Sequence, residues 1–188
     1  PAPGYCIGRP SPLVQLRVVR IHQGAISLDN GGWDAWEVPR GEPGELIVSG
    51  DHVARRYFRN AAATEENKIV DAEGVVWHRM GDTGYVDPQG YVWLVGRVHS
   101  TIWRRGEPVH PQLIEQAGAA DDANLRIAAV GLPDAELGER VVVVVETAPG
   151  CDTEVQVRRR IEDAGLPVDE VSLAKRPLPL DPRHRSKI

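Results

Sequence analysis

The segment Trp77-His-Arg-Met-Gly-Asp-Thr-Gly-Tyr85 sets one carboxylate, Asp82, between two glycines just ahead of a hairpin signal. A carboxylate so placed can accept hydrogen bonds from both hydroxyls of a ribose, and Gly81 and Gly84 let such a ligand approach the backbone. Gly-Asp-x-Gly is also a common turn whose aspartate is satisfied locally, so the segment is weak by itself. The second candidate is Lys187. Nineteen of the twenty-two basic residues are arginine, and lysine occurs only as Lys68, Lys175 and Lys187. A compact ammonium on a flexible stem, in a polar tail, suits stabilisation of the charge that develops in phosphoryl transfer. The histidines, His22, His52, His78, His99, His110 and His184, show no pair at metal-ligand spacing and no nearby cysteine, so no metal site is expected.

Two kinds of element must position these groups. Residues 1–96 read as all-β: 14–21 alternates apolar and polar, 44–50 encloses Glu45-Leu-Ile-Val-Ser49, and 75–78 and 91–95 are short runs rich in β-branched and aromatic residues. Asp87-Pro-Gln-Gly90 is a hairpin turn with proline at its first central position. A short helix is expected over 61–67. From Ile102 strands alternate with helices: a helix over 111–118 opening on Pro111, strands over 126–131 and 140–146, a helix from 152 to 164 stopping at Gly165, and a strand over 168–174. The run Val141 to Val145 predicts a strand buried on both faces. Arg158-Arg-Arg160 beside Glu154 and Glu162 reads as a solvated helix face, the five tryptophans as core anchors, and the tail from Pro177 as a loop. No internal repeat is apparent by inspection.

Composition excludes several function classes. The 188 residues, 26% charged and 41% hydrophobic, describe an ordinary folded chain of one or two domains. Twenty-seven acidic against twenty-two basic residues give a net charge of -5, which argues against a nucleic-acid partner and for a small molecule. No apolar run approaches the ~20 residues of a spanning helix. Cys6 and Cys151, two and far apart, fit reduced thiols and a cytoplasmic setting better than a disulfide framework. The chain begins at Pro1 without methionine, so a fragment or processed product is expected.

Around Asp82 stands an ordered set: Gly44-Glu-Leu with Gly50 and Tyr57, then Arg79-Met-Gly-Asp82, Gly96-Arg97, Arg105-Gly106, and Ser186-Lys187. This set resembles the second half of the adenylate-forming enzymes, the superfamily of acyl-CoA synthetases, non-ribosomal peptide adenylation domains and luciferases. Each motif alone is weak; four of them in order, Gly44-Glu-Leu, Arg79-Met-Gly-Asp82, Gly96-Arg97 and Ser186-Lys187, make the resemblance specific, and it runs from about Gly4 to Ile188. The stretches 77–82 and 182–188 look most like the branch of fatty acyl-AMP and acyl-CoA ligases of olefin biosynthesis, including β-lactone synthetases.

The resemblance implies an α+β architecture. An all-β subdomain, a distorted barrel over residues 1–96, closes a large adenylation domain. A hinge of Arg97, Val98, His99 and Ser100 follows, and then a small α+β domain with a short central sheet over 101–188. It implies that a carboxylic acid, long-chain or 3-hydroxy fatty, attacks the α-phosphate of ATP to give an acyl-adenylate. CoA or the substrate's own 3-hydroxyl then displaces AMP. Asp82 would bind the ribose hydroxyls, Arg97 the ribose or phosphate, and Lys187 would be catalytic, while the loop at Gly106 and Glu107 would serve the second step. Mg2+ would arrive with ATP and be held by the missing N-terminal large domain. His99 and Ser100 replace the usual acidic hinge residue, Trp103 stands where many members carry lysine, and Glu107-Pro108 follows the glycine loop. The triphosphate-gripping loop, the acyl pocket and the Mg2+-binding glutamate are not in the chain, so it is expected to be inactive alone. The competing reading is a nucleotide- or partner-binding module that keeps the fold and lacks the chemistry.

Overall fold

The structure is a computed structural model that describes residues 4–120, 122, 125–146 and 153–179. The chain divides into two compact units, Pro1–His99 and Ser100–Ile188. The α+β class expected from the alternation of elements is what the structure shows, but the barrel expected over residues 1–96 is, among the described residues, an open sheet.

In the first unit one long strand organises the sheet. Strand β5 (Val76–Val86) carries three partners along its eleven residues: β4 (Lys68–Val70) at its start, β3 (Gly44–Ser49) along its middle, and β6 (Val92–Arg97) at its end. β1 (Tyr5–Gly8) adds outside β6 and β2 (Gln15–Val19) outside β3, all antiparallel. The path β1-β6-β5-β3-β2 is open, because its two end strands do not pair with each other. β1 is four residues long and its register breaks between Cys6 and Gly8, so it offers little ladder for closure. Helix α1 (Ala61–Asn67) starts where the Asn60 side chain accepts from the Ala63 amide at 3.0 Å.

Two hairpins flank β5 with one device. Asp71 accepts from the Val75 amide at 2.8 Å and from the Trp77 indole N–H at 2.9 Å; Asp87 accepts from the Tyr91 amide at 2.8 Å and from the Trp93 indole at 2.9 Å. These hydrogen bonds hold both carboxyls below their ordinary range, against a desolvation that pushes the other way. Asp71-Ala-Glu-Gly-Val-Val-Trp77 and Asp87-Pro-Gln-Gly-Tyr-Val-Trp93 are thus one Asp-x-x-Gly-x-x-Trp cassette used twice, a local recurrence within a chain in which none was expected.

Under the sheet lies a cluster of Val19, Ile26, Ile47, Ile69 and Trp77. Set into that face is a buried ion pair: Arg79 Nε lies 3.1 Å from both oxygens of Glu45, and Nη2 lies 2.7 Å from Oε2. The rest of the guanidinium donates to the carbonyls of His22 at 2.6 Å, Glu66 at 3.1 Å and Gly24. The two side chains are 2% and 6% exposed, so water cannot replace a lost partner.

The second unit packs two helices against a five-stranded sheet. β10 (Gly138–Glu146) sits inside it, antiparallel to β9 (Arg126–Asp134) and parallel to β11 (Glu170–Leu173), and at Gly138 it meets β7 (Ile102–Arg104), which pairs with β8 (Glu107–Val109). Val141, Val143 and Val145 point into a core shared with Ile102, Ile114, Ile127, Val157 and Ile161. α2 (Pro111–Ala119) and α3 (Thr153–Asp163) supply Ile114, Val157 and Ile161. β9 runs three residues beyond the expected end, through Pro133, which is tolerated because β9 pairs on one side only, with β10. Arg158 and Arg159 pair with Glu162 and Asp163 along α3, while Arg160 donates to the Gly118 carbonyl at 3.2 Å.

Two predictions follow from these interiors. His110, at the start of α2, is 7% exposed, and burial pushes its imidazole down to about 4. Folding therefore favours the neutral ring: this contribution is complete above pH ~6.5 and is lost as pH falls towards 4, by about 3 kcal/mol. Burial raises the Glu115 carboxyl, which works in the opposite sense. Urea unfolding at pH 7 and pH 4.5 should show a smaller acid-dependent loss in His110→Gln than in the parent chain. Separately, Glu45→Ala should cost about 3–5 kcal/mol because it leaves a buried guanidinium charge unpaired. The double change Glu45→Leu with Arg79→Met should cost clearly less than Glu45→Ala in the same unfolding measurement.

Candidate functional site

Gly81-Asp-Thr-Gly84, which could have been a turn, is strand: β5 passes through it without reversing. Its backbone departs from regular geometry at Gly81, at φ 70°, a left-handed conformation that a side chain would strain, and the ladder to β3 shifts register between Arg79 and Thr83. Apart from Gly81 and its chain neighbours Met80 and Asp82, no atom lies within 4 Å of where a Cβ would sit there, so a ligand has room against this stretch of backbone. One residue on, β6 carries an extra residue opposite Thr83 and Gly84, a bulge that re-aims the side chains beside it.

Asp82 faces Arg97 across the two strands, and Arg97 Nη1 lies 2.9 Å from Asp82 Oδ1. Arg97 Nη1 also lies 3.5 Å from the Met80 carbonyl. Asp82 is 27% exposed at its side chain and Arg97 49%, so the pair adds little to stability and is accessible to a ligand. A carboxylate has about four acceptor positions, and one guanidinium hydrogen bond leaves capacity for a diol. The acceptor oxygens of Asp82 beside the open face at Gly81 make a place where a vicinal diol can be received.

The remaining expected positions fall as follows. Val98, His99 and Ser100 form one 3-10 turn directly after β6, with His99 and Ser100 exposed. Arg105 and Gly106, at φ 55° and 80°, make the two-residue turn between β7 and β8, the geometry that favours tight hairpins. Glu107 opens β8 and is exposed. Lys187, with Ser186, lies outside the described residues. Among the described residues, no group of three or more His, Cys, Asp or Glu that could hold a metal ion is present, and no helix is long and apolar enough to cross a membrane. The link from Arg79 to Glu45 was not readable as a pair; the two residues were recognised only as members of separate motifs.

No family model matches the chain. It is 34% identical over 162 residues, 85% of its length, to 2-hydroxy-7-methoxy-5-methyl-1-naphthoate–CoA ligase of Streptomyces carzinostaticus, and covers 26% of that protein. It is 43% identical over 110 residues, 57% of its length, to 4-chlorobenzoate–CoA ligase of an Arthrobacter species, and covers 20% of that protein. Among solved structures, ATP-bound MatB from Rhodopseudomonas palustris superposes with a TM-score of 0.71 and 28% identity over 94% of this chain and 33% of that one. The chain therefore spans about a quarter or less of the curated relatives it matches. In sequence and in fold, the chain corresponds to the C-terminal portion of the adenylate-forming acyl-CoA ligases.

Proposed function

We propose that this chain is the part of an ATP-dependent carboxylic acid ligase that grips the ribose of the nucleotide and carries a catalytic cation, Lys187. The observation that supports this reading most directly is the Asp82–Arg97 pair beside the open backbone of Gly81. Asp82 accepts from the ribose hydroxyls. Arg97 holds the Asp82 carboxylate in place and adds positive charge towards the ribose or phosphate. Lys187 brings an ammonium to the charge developing between the attacking carboxylate and the α-phosphate. ATP supplies the leaving group: the acid's oxygen bonds to the α-phosphorus as the bond to pyrophosphate breaks. Mg2+ reaches the reaction with the phosphates and is assigned no ligand in this chain.

The residues 97–100 serve as the hinge between residues 1–96 and 101–188, and Gly106 in the β7–β8 turn with Glu107 at the start of β8 serves the second step. Relatives named as CoA ligases support transfer of the acyl group to CoA, with AMP leaving. The likeness of 77–82 to ligases of olefin biosynthesis makes long-chain and 3-hydroxy fatty acids the first substrates to test, with β-lactone closure as the alternative fate of the adenylate. The large N-terminal domain completes the enzyme, in a cytoplasmic setting suited to reduced thiols.

Pyrophosphate exchange with a panel of aromatic, long-chain and 3-hydroxy acids tests this, using the chain joined to or complemented by a large domain. Lys187→Ala should lower exchange by about 10²–10³-fold with nucleotide affinity nearly unchanged. Asp82→Ala should weaken nucleotide binding by about tenfold or more. Wild-type exchange with Lys187→Ala, or unaltered nucleotide affinity with Asp82→Ala, would overturn the corresponding role. Nucleotide binding without exchange on any acid would favour a binding module that lacks the chemistry.

A further inference from the structure

We propose a second small-molecule site on the first unit, a cleft that binds an apolar ligand through a terminal phosphate group. Its floor is a row across three strands. Val48 on β3 and Lys68 on β4 both pair with His78 on β5, so the three side chains share one face of the sheet, the face opposite Ile47, Arg79 and Ile69. Met80 continues the row along β5. The wall is the loop after β3, which contributes His52, Val53, Ala54, Arg56 and Tyr57, and the cleft encloses about 360 Å³, within the range of small-ligand sites.

The loop is built to stand there. The Val53 amide donates to the Gly50 carbonyl at 2.9 Å, and the Tyr57 amide to Thr64 Oγ1 at 3.0 Å, so both ends of the wall are tied. At Gly50, φ is 150°, and an added Cβ would meet the Leu13 carbonyl oxygen at 2.6 Å and the His52 ring at 2.9 Å. The close approach of His52 to the backbone therefore requires glycine at this position.

Charge gives the ligand its chemistry. No aspartate or glutamate lines the cleft. Among the described residues Lys68 and Arg56 belong to none of the ion pairs, although the chain as a whole is acidic. Lys68 Nζ sits 5.4 Å from the centre of the Tyr57 ring, and the ring in turn meets His78 edge-on at 6.4 Å. Lysine, arginine, two imidazoles and a phenol give more donors, from more directions, than the two oxygens of a carboxylate can use; the three oxygens and near-double charge of a phosphate match them. Val48, Val53, Ala54 and Met80 give the remainder of the ligand an apolar surface.

His78 provides the readout. Burial, with the nearby Lys68 charge, depresses its imidazole, against the Asn67 carbonyl and the more distant Glu45 carboxylate, which favour the charged form. A phosphate seated beside Lys68 must raise the His78 titration, because a neighbouring anion stabilises imidazolium. The test is NMR titration of the histidine ring resonances of the full 188-residue chain with inorganic phosphate at constant ionic strength. The expected result is a saturable upward shift of the His78 midpoint, with affinity reduced about tenfold or more in Lys68→Gln and in Arg56→Gln and retained in Asp82→Ala. An unmoved His78 midpoint, or equal binding in Lys68→Gln and Arg56→Gln, would overturn the site. Loss of binding in Asp82→Ala would assign the phosphate to the ribose-binding region instead, and acetate binding as tightly as phosphate would overturn the choice of ligand.

Discussion

The first unit is organised around a guanidinium that water cannot reach. Arg79 spends every donor it has on Glu45 and on three backbone carbonyls, those of His22, Gly24 and Glu66. A charge buried this deeply is tolerable only when all partners are present at once. The pair therefore fixes more than two side chains: it ties β3 to β5, holds the loop through residues 22–24 against the sheet, and anchors the last turn of α1. Slipping β5 by one residue against β3 would put Arg79 on the opposite face and strand Glu45, so the register is set by electrostatics as well as by apolar burial. Asp82 lies three residues further along the same strand, and its place on the sheet follows from that constraint.

Much of this was legible in the residues because it is local. The helix over 61–67 forms as α1, Pro111 opens α2, Asp87-Pro-Gln-Gly90 turns, and five consecutive valines make a central strand; each is a short-range preference that tertiary packing reinforces. What escaped is non-local or falls between templates. Glu45 and Arg79 are thirty-four positions apart, and nothing in either neighbourhood announces the other. The open sheet depends on which strands become neighbours, and β5 splitting its length among three partners is invisible to a pattern of alternation. The continuation of β5 through Gly81-Asp82 was hidden because Gly-Asp-x-Gly carries turn chemistry; the ladder to β6 overrides it.

The recurrence of Asp-x-x-Gly-x-x-Trp lies in plain residues, at a scale below that of a whole supersecondary unit. A seven-residue cassette is shorter than that, yet it encodes a complete mechanism: the aspartate closes the turn with its own carboxylate and reaches back to the indole of the returning strand. At the Asp82–Arg97 pair, by contrast, the residue types were readable and the pairing followed simply from the two facing each other across a hairpin. Readability of a site thus tracked the sequence distance between its parts.

The two cassettes have a mechanical consequence. One clips β5 at its entry and the other at its exit, so the strand resembles a beam held at both supports with Asp82 between them. Such a beam does not slide to meet an arriving ligand; it offers a fixed datum. Accommodation has to come from side-chain rotation at Asp82 and Arg97 or from backbone beyond the second support. The first such backbone after β6 is the turn Val98–Ser100, where His99 and Ser100 are exposed.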